Sequence, residues 1–159
     1  MRITSFIAVT LVLSLALVAW SAGASDAKEG KDQKDAKESA AGIDGSWLPS
    51  AAEMAGKKYP DEVRKTIKLV IKGDTYKTTV GQAVDEGTLK INPTPKPHEI
   101  DITGSEGPNK GKTILAIYET DGPDTLRICY DLSGKSRPTE FKTAEGTKLF
   151  LVTYQREKP

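Results

Sequence analysis

Residues 67–91 read IKLVIKGDTYKTTVGQAVDEGTLKI, and the fold turns on how this stretch is taken. Ile67, Leu69 and Ile71 alternate with Lys68 and Lys72, the period-two pattern of a strand with one side on a core. Gly73-Asp74 supplies a turn, and Tyr76, Thr78 and Val80 continue the alternation beyond it. Gly81-Gln82 turns the chain again before Leu89 and Ile91 repeat the same period. Three short strands joined by tight turns predict an antiparallel sheet.

The pattern extends in both directions. Downstream, Ile100 and Ile102 alternate with Glu99, Asp101 and Thr103, while Thr113 to Glu119 is apolar on both sides. Asp121-Gly122-Pro123-Asp124 closes a hairpin into Leu126, Ile128 and Tyr130, and a last apolar strand runs from Lys148 to Gln155. Upstream, a first strand is expected around Trp47. Pro60 to Lys65 has helical character, with Asp61 and Glu62 in a first turn where the helix dipole favours acids. Residues 42–159 hold 12 of the 14 Gly and all 9 Pro, punctuation that suits strands joined by turns. The sum is an all-β domain of eight strands, a barrel or sandwich, with one short helix after the first strand. A closed barrel also leaves no exposed sheet edge, which matters for a domain without disulfides.

The N-terminus is of another kind. Arg2 is the only charge before Asp26, and an apolar run from Phe6 to about Trp20 ends in the small residues Ala22-Gly23-Ala24. This predicts a signal peptide over 1–24, cleaved after Ala24; the run is short for a bilayer span, an uncleaved anchor being the alternative. Residues 25–41 (SDAKEGKDQKDAKESAA) lack any aromatic or β-branched side chain and carry Lys every third position between acids. They have almost nothing to bury and are expected to be a charged, flexible spacer. The domain proper is then 42–159, in a secreted or periplasmic protein with no membrane span after cleavage.

Composition excludes much chemistry. The chain has 159 residues, 23 basic and 22 acidic, and removing the signal takes away only Arg2, bringing net charge to zero. That offers no footprint for nucleic acid. One Cys cannot make an internal disulfide, and one His cannot build a His-rich metal site.

Several blocks, in order, resemble a known family: Gly45-Ser46-Trp47; Lys68-Leu69-Val70-Ile71-Lys72-Gly73-Asp74-x-Tyr76; Glu86-Gly87-Thr88; Lys96-Pro97-x-x-Ile100-Asp101; Gly107-Pro108-Asn109-Lys110-Gly111-Lys112-Thr113; Ile117-Tyr118-Glu119; Leu126-Arg127-Ile128-Cys129-Tyr130; and Arg137-Pro138-Thr139-Glu140-Phe141. The first is similar to the Gly-x-Trp signature of lipocalins. Together the blocks resemble the lipocalin-like domain family of secreted planctomycete proteins, whose function is uncharacterised. The resemblance implies an up-and-down, lipocalin-like β-barrel and carries over no ligand, activity or catalytic residue. The chain departs from it at Ala144-Glu145-Gly146-Thr147, where a Gly-Ser-Gly-like turn is expected. The lipocalin likeness also implies that Trp47, next to Gly45, packs across the closed end under a basic residue of the last strand. Arg156 is the candidate, either over the indole face or solvated at the C-terminus.

No residue set points to an enzyme. Gly107 to Thr113 is similar to a phosphate-binding loop, but the required first glycine would fall on Glu106, and a strand follows where that loop needs a helix. His98 in its Pro-rich stretch has no second His or Cys to share a metal, and reads as a lone surface side chain. Arg127 shares the predicted side of Cys129 and would lower its thiol pKa; the plainer reading is a quiet Cys on a sheet face. Arg137 can reach Glu140, with Phe141 clamping the loop to the barrel, or it can serve as an anion fork at the barrel mouth.

Two classes of function remain. The first is a binding module whose barrel holds one small apolar or amphipathic molecule, with Tyr76, Tyr118, Tyr130 and Arg137 as candidate contacts. The second is a structural or interaction module of the cell envelope with a filled core. Neither calls for a cofactor or metal, and a monomer is expected. An internal volume above roughly 300 Å³ separates the two.

Overall fold

The computed structural model describes residues 42–158, so the signal peptide and spacer expected at 1–24 and 25–41 lie outside the described residues. The elements are β1 (Gly45–Met54), β2 (Lys57–Lys58), α1 (Asp61–Arg64), β3 (Ile67–Lys72), β4 (Thr75–Val80), β5 (Ala83–Asn92), β6 (His98–Glu106), β7 (Thr113–Asp121), β8 (Thr125–Asp131) and β9 (Leu149–Arg156). From β3 to β9 each strand pairs antiparallel with the next. β1 closes the circuit, pairing Gly45 to Trp47 with β3 and Trp47 to Met54 with β9. The result is the expected closed, eight-stranded antiparallel barrel, with β2 added as a two-residue hairpin on the end of β1. The β1–β9 register slips between Pro49 and Ala51, where proline has no N–H to give a ladder.

Alternation decides which side chains fill the interior. Leu69, Ile71, Tyr76, Leu89, Ile91, Ile100, Ile102, Ile114, Ala116, Leu126, Ile128 and Val152 form one buried cluster, while Lys68, Lys77 and Lys90 on the same strands point outward. Burying a side chain of this size contributes about 1.5–3 kcal/mol, so the lining dominates the stability of the domain. The helix α1 follows Pro60 as its N-cap, with Asp61 and Glu62 in its first turn, and buries none of its own residues.

β7 is apolar on both sides because both sides are covered. The connection from β8 to β9 crosses the outside of the barrel as a strap, beneath which Ile117 and Cys129 are 1% and 0% exposed. Three anchors hold it. Asp131 at the end of β8 is buried and accepts bonds from Ser133 N and Oγ, Lys135 N and Ser136 N at 2.6–3.1 Å. Burial alone would raise this carboxyl, but the hydroxyl and amide donors more than offset it and hold its pKa below the ordinary value. Arg137 bonds to the outer side of β6 and β7, and Thr143 donates to Glu53 while accepting from Gly56 N at 2.8 Å.

The two ends of the barrel differ. The hairpins after β3, β5 and β7 gather at one end with Trp47 and Arg156; those after β4 and β6, and the start of the strap, lie at the other. Trp47 is fully buried, its Nε1 donates to Ile43 O at 2.9 Å, and the Arg156 guanidinium carbon stands 4.2 Å from the ring centroid. Gly45 sits at φ 139°, and a Cβ there would run into the Arg156 guanidinium, so both backbone and space call for glycine.

Candidate ligand-binding site

The barrel is not filled. A cavity of about 280 Å³ runs between Ile67, Leu69 and Ile71 of β3, Leu89 of β5, Ile100 and Ile102 of β6, and Phe150 and Tyr154 of β9. It reaches the end opposite Trp47, where Val80, Ala83, Val84, Pro108, Asn109 and Leu132 surround it. Val80, Val84 and Leu132 are 38–40% exposed, three of the five large apolar side chains that face solvent among the described residues. Together they form an apolar rim around this end of the cavity.

Polar atoms in the wall are few and grouped. On one side the Tyr76 hydroxyl donates to Asp85 Oδ2 at 2.8 Å, and the same carboxylate accepts from Asn109 Nδ2 at 3.0 Å and Asn109 N at 2.9 Å. Asp85 thus ties the β6–β7 loop, with Pro108 and Asn109 at the entrance, to the ring of Tyr76. Burial pushes the Tyr76 phenol well above its usual range, and the bond to Asp85 and its charge add to this. Gly87 lets the strands and that ring close up, since a Cβ there would run into Thr103 O and stand 2.8 Å from Tyr76 Cε1. On the other side Tyr130 and Tyr154 share one hydrogen bond, hydroxyl to hydroxyl, at 3.1 Å. Burial raises both phenols, Tyr154 to about 12, so both are neutral at physiological pH. The wall contains no Lys, Arg or His.

The expected contacts divide between inside and outside. Tyr76 and Tyr130 line the cavity; Tyr118 and Arg137 do not. Tyr118 points inward from β7 but packs toward the Trp47 end, 5.3 Å from the His98 ring. Arg137 lies on the outer face, not at the mouth, because the strap that carries it lies against β6 and β7. Its guanidinium donates to Ala116 O at 2.7 Å and Ile100 O at 3.2 Å, and meets Asp101 at 2.5 Å and Glu99 at 3.4 Å. It therefore reaches across the sheet to these acids rather than along its own loop to Glu140. Phe141 is half-buried under the Arg127 guanidinium, 5.0 Å from ring to Cζ. His98 is also not a free surface side chain: it is half-buried, its Nε2 stands 2.9 Å from Lys96 Nζ, and its Nδ1 is buried with no hydrogen-bond partner among the described residues.

Cys129 is shielded by the strap, its Sγ 3.8 Å from Lys142 O. Burial pushes the thiol up and outweighs the lowering by Arg127 and by the bond to Lys142, so it is not an activated thiolate. Among the described residues no group of three or more His, Cys, Asp or Glu could hold a metal ion.

Tyr154, Phe150, Asp85 and Asn109 belong to the site and were not singled out from sequence. Phe150, Val152 and Tyr154 stand at period two in the last strand, so Tyr154 was recoverable from alternation alone. The Asp85–Asn109 contact spans 24 residues and had no local signal.

Fold and site together define a small closed β-barrel with an apolar internal cavity open at one end. No family model, curated protein or solved structure matches the chain.

Proposed function

We propose that the domain is an exported, lipocalin-like binding module that holds one small, neutral, apolar or amphipathic molecule inside the barrel. The observation that carries this reading is the cavity of about 280 Å³, walled by aliphatic side chains and entered past Val80, Val84 and Leu132. Its size sits just under the lower bound of roughly 300 Å³ for small-molecule sites, which restricts the occupant to one or two rings or a medium chain. The competing reading, a structural or interaction module of the envelope, calls for an interior occupied by side chains; the volume falls just below the dividing value, so the aliphatic wall and the apolar rim, rather than the size, favour binding. Export rests on Arg2, the apolar run from Phe6 to Trp20 and Ala22-Gly23-Ala24. The Gly45-Ser46-Trp47 start and the Arg156 stack over Trp47 support the lipocalin likeness. A closed barrel with no long unpaired strand also favours a monomer.

Native mass spectrometry of the protein released gently from its own envelope tests the proposal. The expected result is a one-to-one adduct of a small organic molecule, absent from Thr78→Trp, in which an indole enters the cavity. Bare protein from the envelope, together with no uptake of apolar probes by the purified domain, would defeat the proposal in favour of a filled or collapsed interior.

A further inference from the structure

We infer that Tyr130 and Tyr154 form a hydrogen-bond donor site for a neutral oxygen acceptor, a ketone, ester or ether, on the molecule held in the cavity. The inference rests on the binding reading above and names the chemistry of its occupant. It begins with a proton count. Two phenol hydroxyls carry two O–H donors, and their mutual contact at 3.1 Å uses one of them, whichever way it points. The second proton has no acceptor among the described residues. On the opposite wall the Tyr76–Asp85 pair is engaged with Asn109. Both tyrosines line the cavity, so the spare donor belongs to a space whose wall is mostly aliphatic, with Thr78 and the Tyr76–Asp85–Asn109 group its other polar side chains.

A buried donor without an acceptor is costly, and a ligand oxygen removes the cost. The pair is also chemically suited to the task. Burial holds both phenols protonated, so they donate and do not carry charge. The two O–H groups can rotate so that donor and acceptor exchange roles, and either oxygen is therefore able to present the free donor.

Charge narrows the class further. With no cationic side chain in the wall and Asp85 at its far side, a carboxylate or phosphate inside would be desolvated with no counter-ion. The site therefore selects an uncharged acceptor on an apolar body, and disfavours a free fatty acid whose headgroup enters first.

Benzophenone and diphenylmethane test this. They share two rings and a similar volume, and differ in one carbonyl. Isothermal titration calorimetry on the folded domain should show benzophenone binding at least threefold, and up to about tenfold, more tightly, the range for one net hydrogen bond. The infrared carbonyl stretch of bound benzophenone should fall to lower frequency. Tyr130→Phe and Tyr154→Phe alone should each keep the preference, because one hydroxyl still has a proton to give. The double variant should lose the preference and the infrared shift while binding diphenylmethane more tightly than the wild type, since no unpaired hydroxyl faces it, which shows that the cavity persists. Equal affinity of the wild type for the two probes, or a preference that survives the double variant, overturns the inference and leaves the cavity reading standing. Failure of both probes to bind the wild type overturns the two together.

Discussion

Replacing Arg156 by Met removes a guanidinium shared by three carbonyls and one indole while keeping most of the aliphatic stem. Its Nε donates to Pro123 O at 2.7 Å, Nη1 donates to Asp44 O, and Nη2 reaches Gly42 O at 3.4 Å. The guanidinium carbon lies 4.2 Å from the Trp47 centroid, and the side chain is 26% exposed. Bonds from a charged donor are each worth about 1.5–3 kcal/mol, and a cation over Trp about 0.5–2 kcal/mol. The freed carbonyls at this rim regain water, and the Met stem retains part of the packing. The expected loss is therefore about 2–3 kcal/mol, or roughly 8–12 °C in Tm at ~4 °C per kcal/mol for a domain of this size. Guanidinium unfolding followed by far-ultraviolet circular dichroism measures it. Trp47→Phe supplies the second arm of a double-mutant cycle, in which a coupling near 1 kcal/mol is expected between the two positions. A loss under ~0.5 kcal/mol for Arg156→Met, or additivity within ~0.3 kcal/mol, would refute a closed end held by this stack.

Three further outcomes follow from the same geometry. Asp131→Asn should cost about 2 kcal/mol, because the amide cannot accept the four bonds that wind the strap's start around the carboxylate. Since the folded carboxyl is held below its ordinary value, its contribution is complete above about pH 4 and fades as pH falls through the folded pKa; urea midpoints for variant and wild type should converge in acid. At the alkaline end, Tyr154 keeps its proton in the folded state to about 12, whereas an unfolded phenol loses it near 10. Stability should hold steady up to about pH 10 and decline between 10 and 12, with phenolate absorbance appearing together with loss of circular dichroism. Cys129, shielded and with a raised thiol pKa, should resist Ellman's reagent in the native protein; Arg137→Leu, which frees the strap from Ile100 and Ala116, should speed labelling about tenfold. Equal labelling rates in both would show that the strap does not gate access to that sulfur.

Much of the barrel was legible because alternation is local. Ile67, Leu69 and Ile71 declare their side of the sheet by spacing, and Gly73 and Gly81 sit at positive φ where the hairpins turn. Gly45, Trp47 and Arg156 were found through a short motif together with the order of later blocks. What failed was placement across long sequence separation. Arg137 meets Asp101, 36 residues away, and nothing beside it indicates that its loop lies flat on the outer sheet rather than over the mouth. The doubly apolar β7 was the available sign that something covers the barrel's exterior, and it identified the covered strand without naming the cover. Tyr118 shows a second limit: facing inward does not say toward which end of the cylinder a ring leans. Cavity volume depends on the packing of twenty side chains from many strands, and no single segment encodes it.

The crossing of β1 and β9 at Trp47 has a consequence for how the domain is mounted. Glu157 N bonds to Ser46 O at 2.7 Å, so the polypeptide enters and leaves the cylinder side by side at its sealed base. Gly42 is thus the point of attachment at the base, as the foot of a cup is. The Val80–Val84–Leu132 lip lies at the opposite end of the cylinder, so both ends of the polypeptide join the domain on the side away from its open mouth.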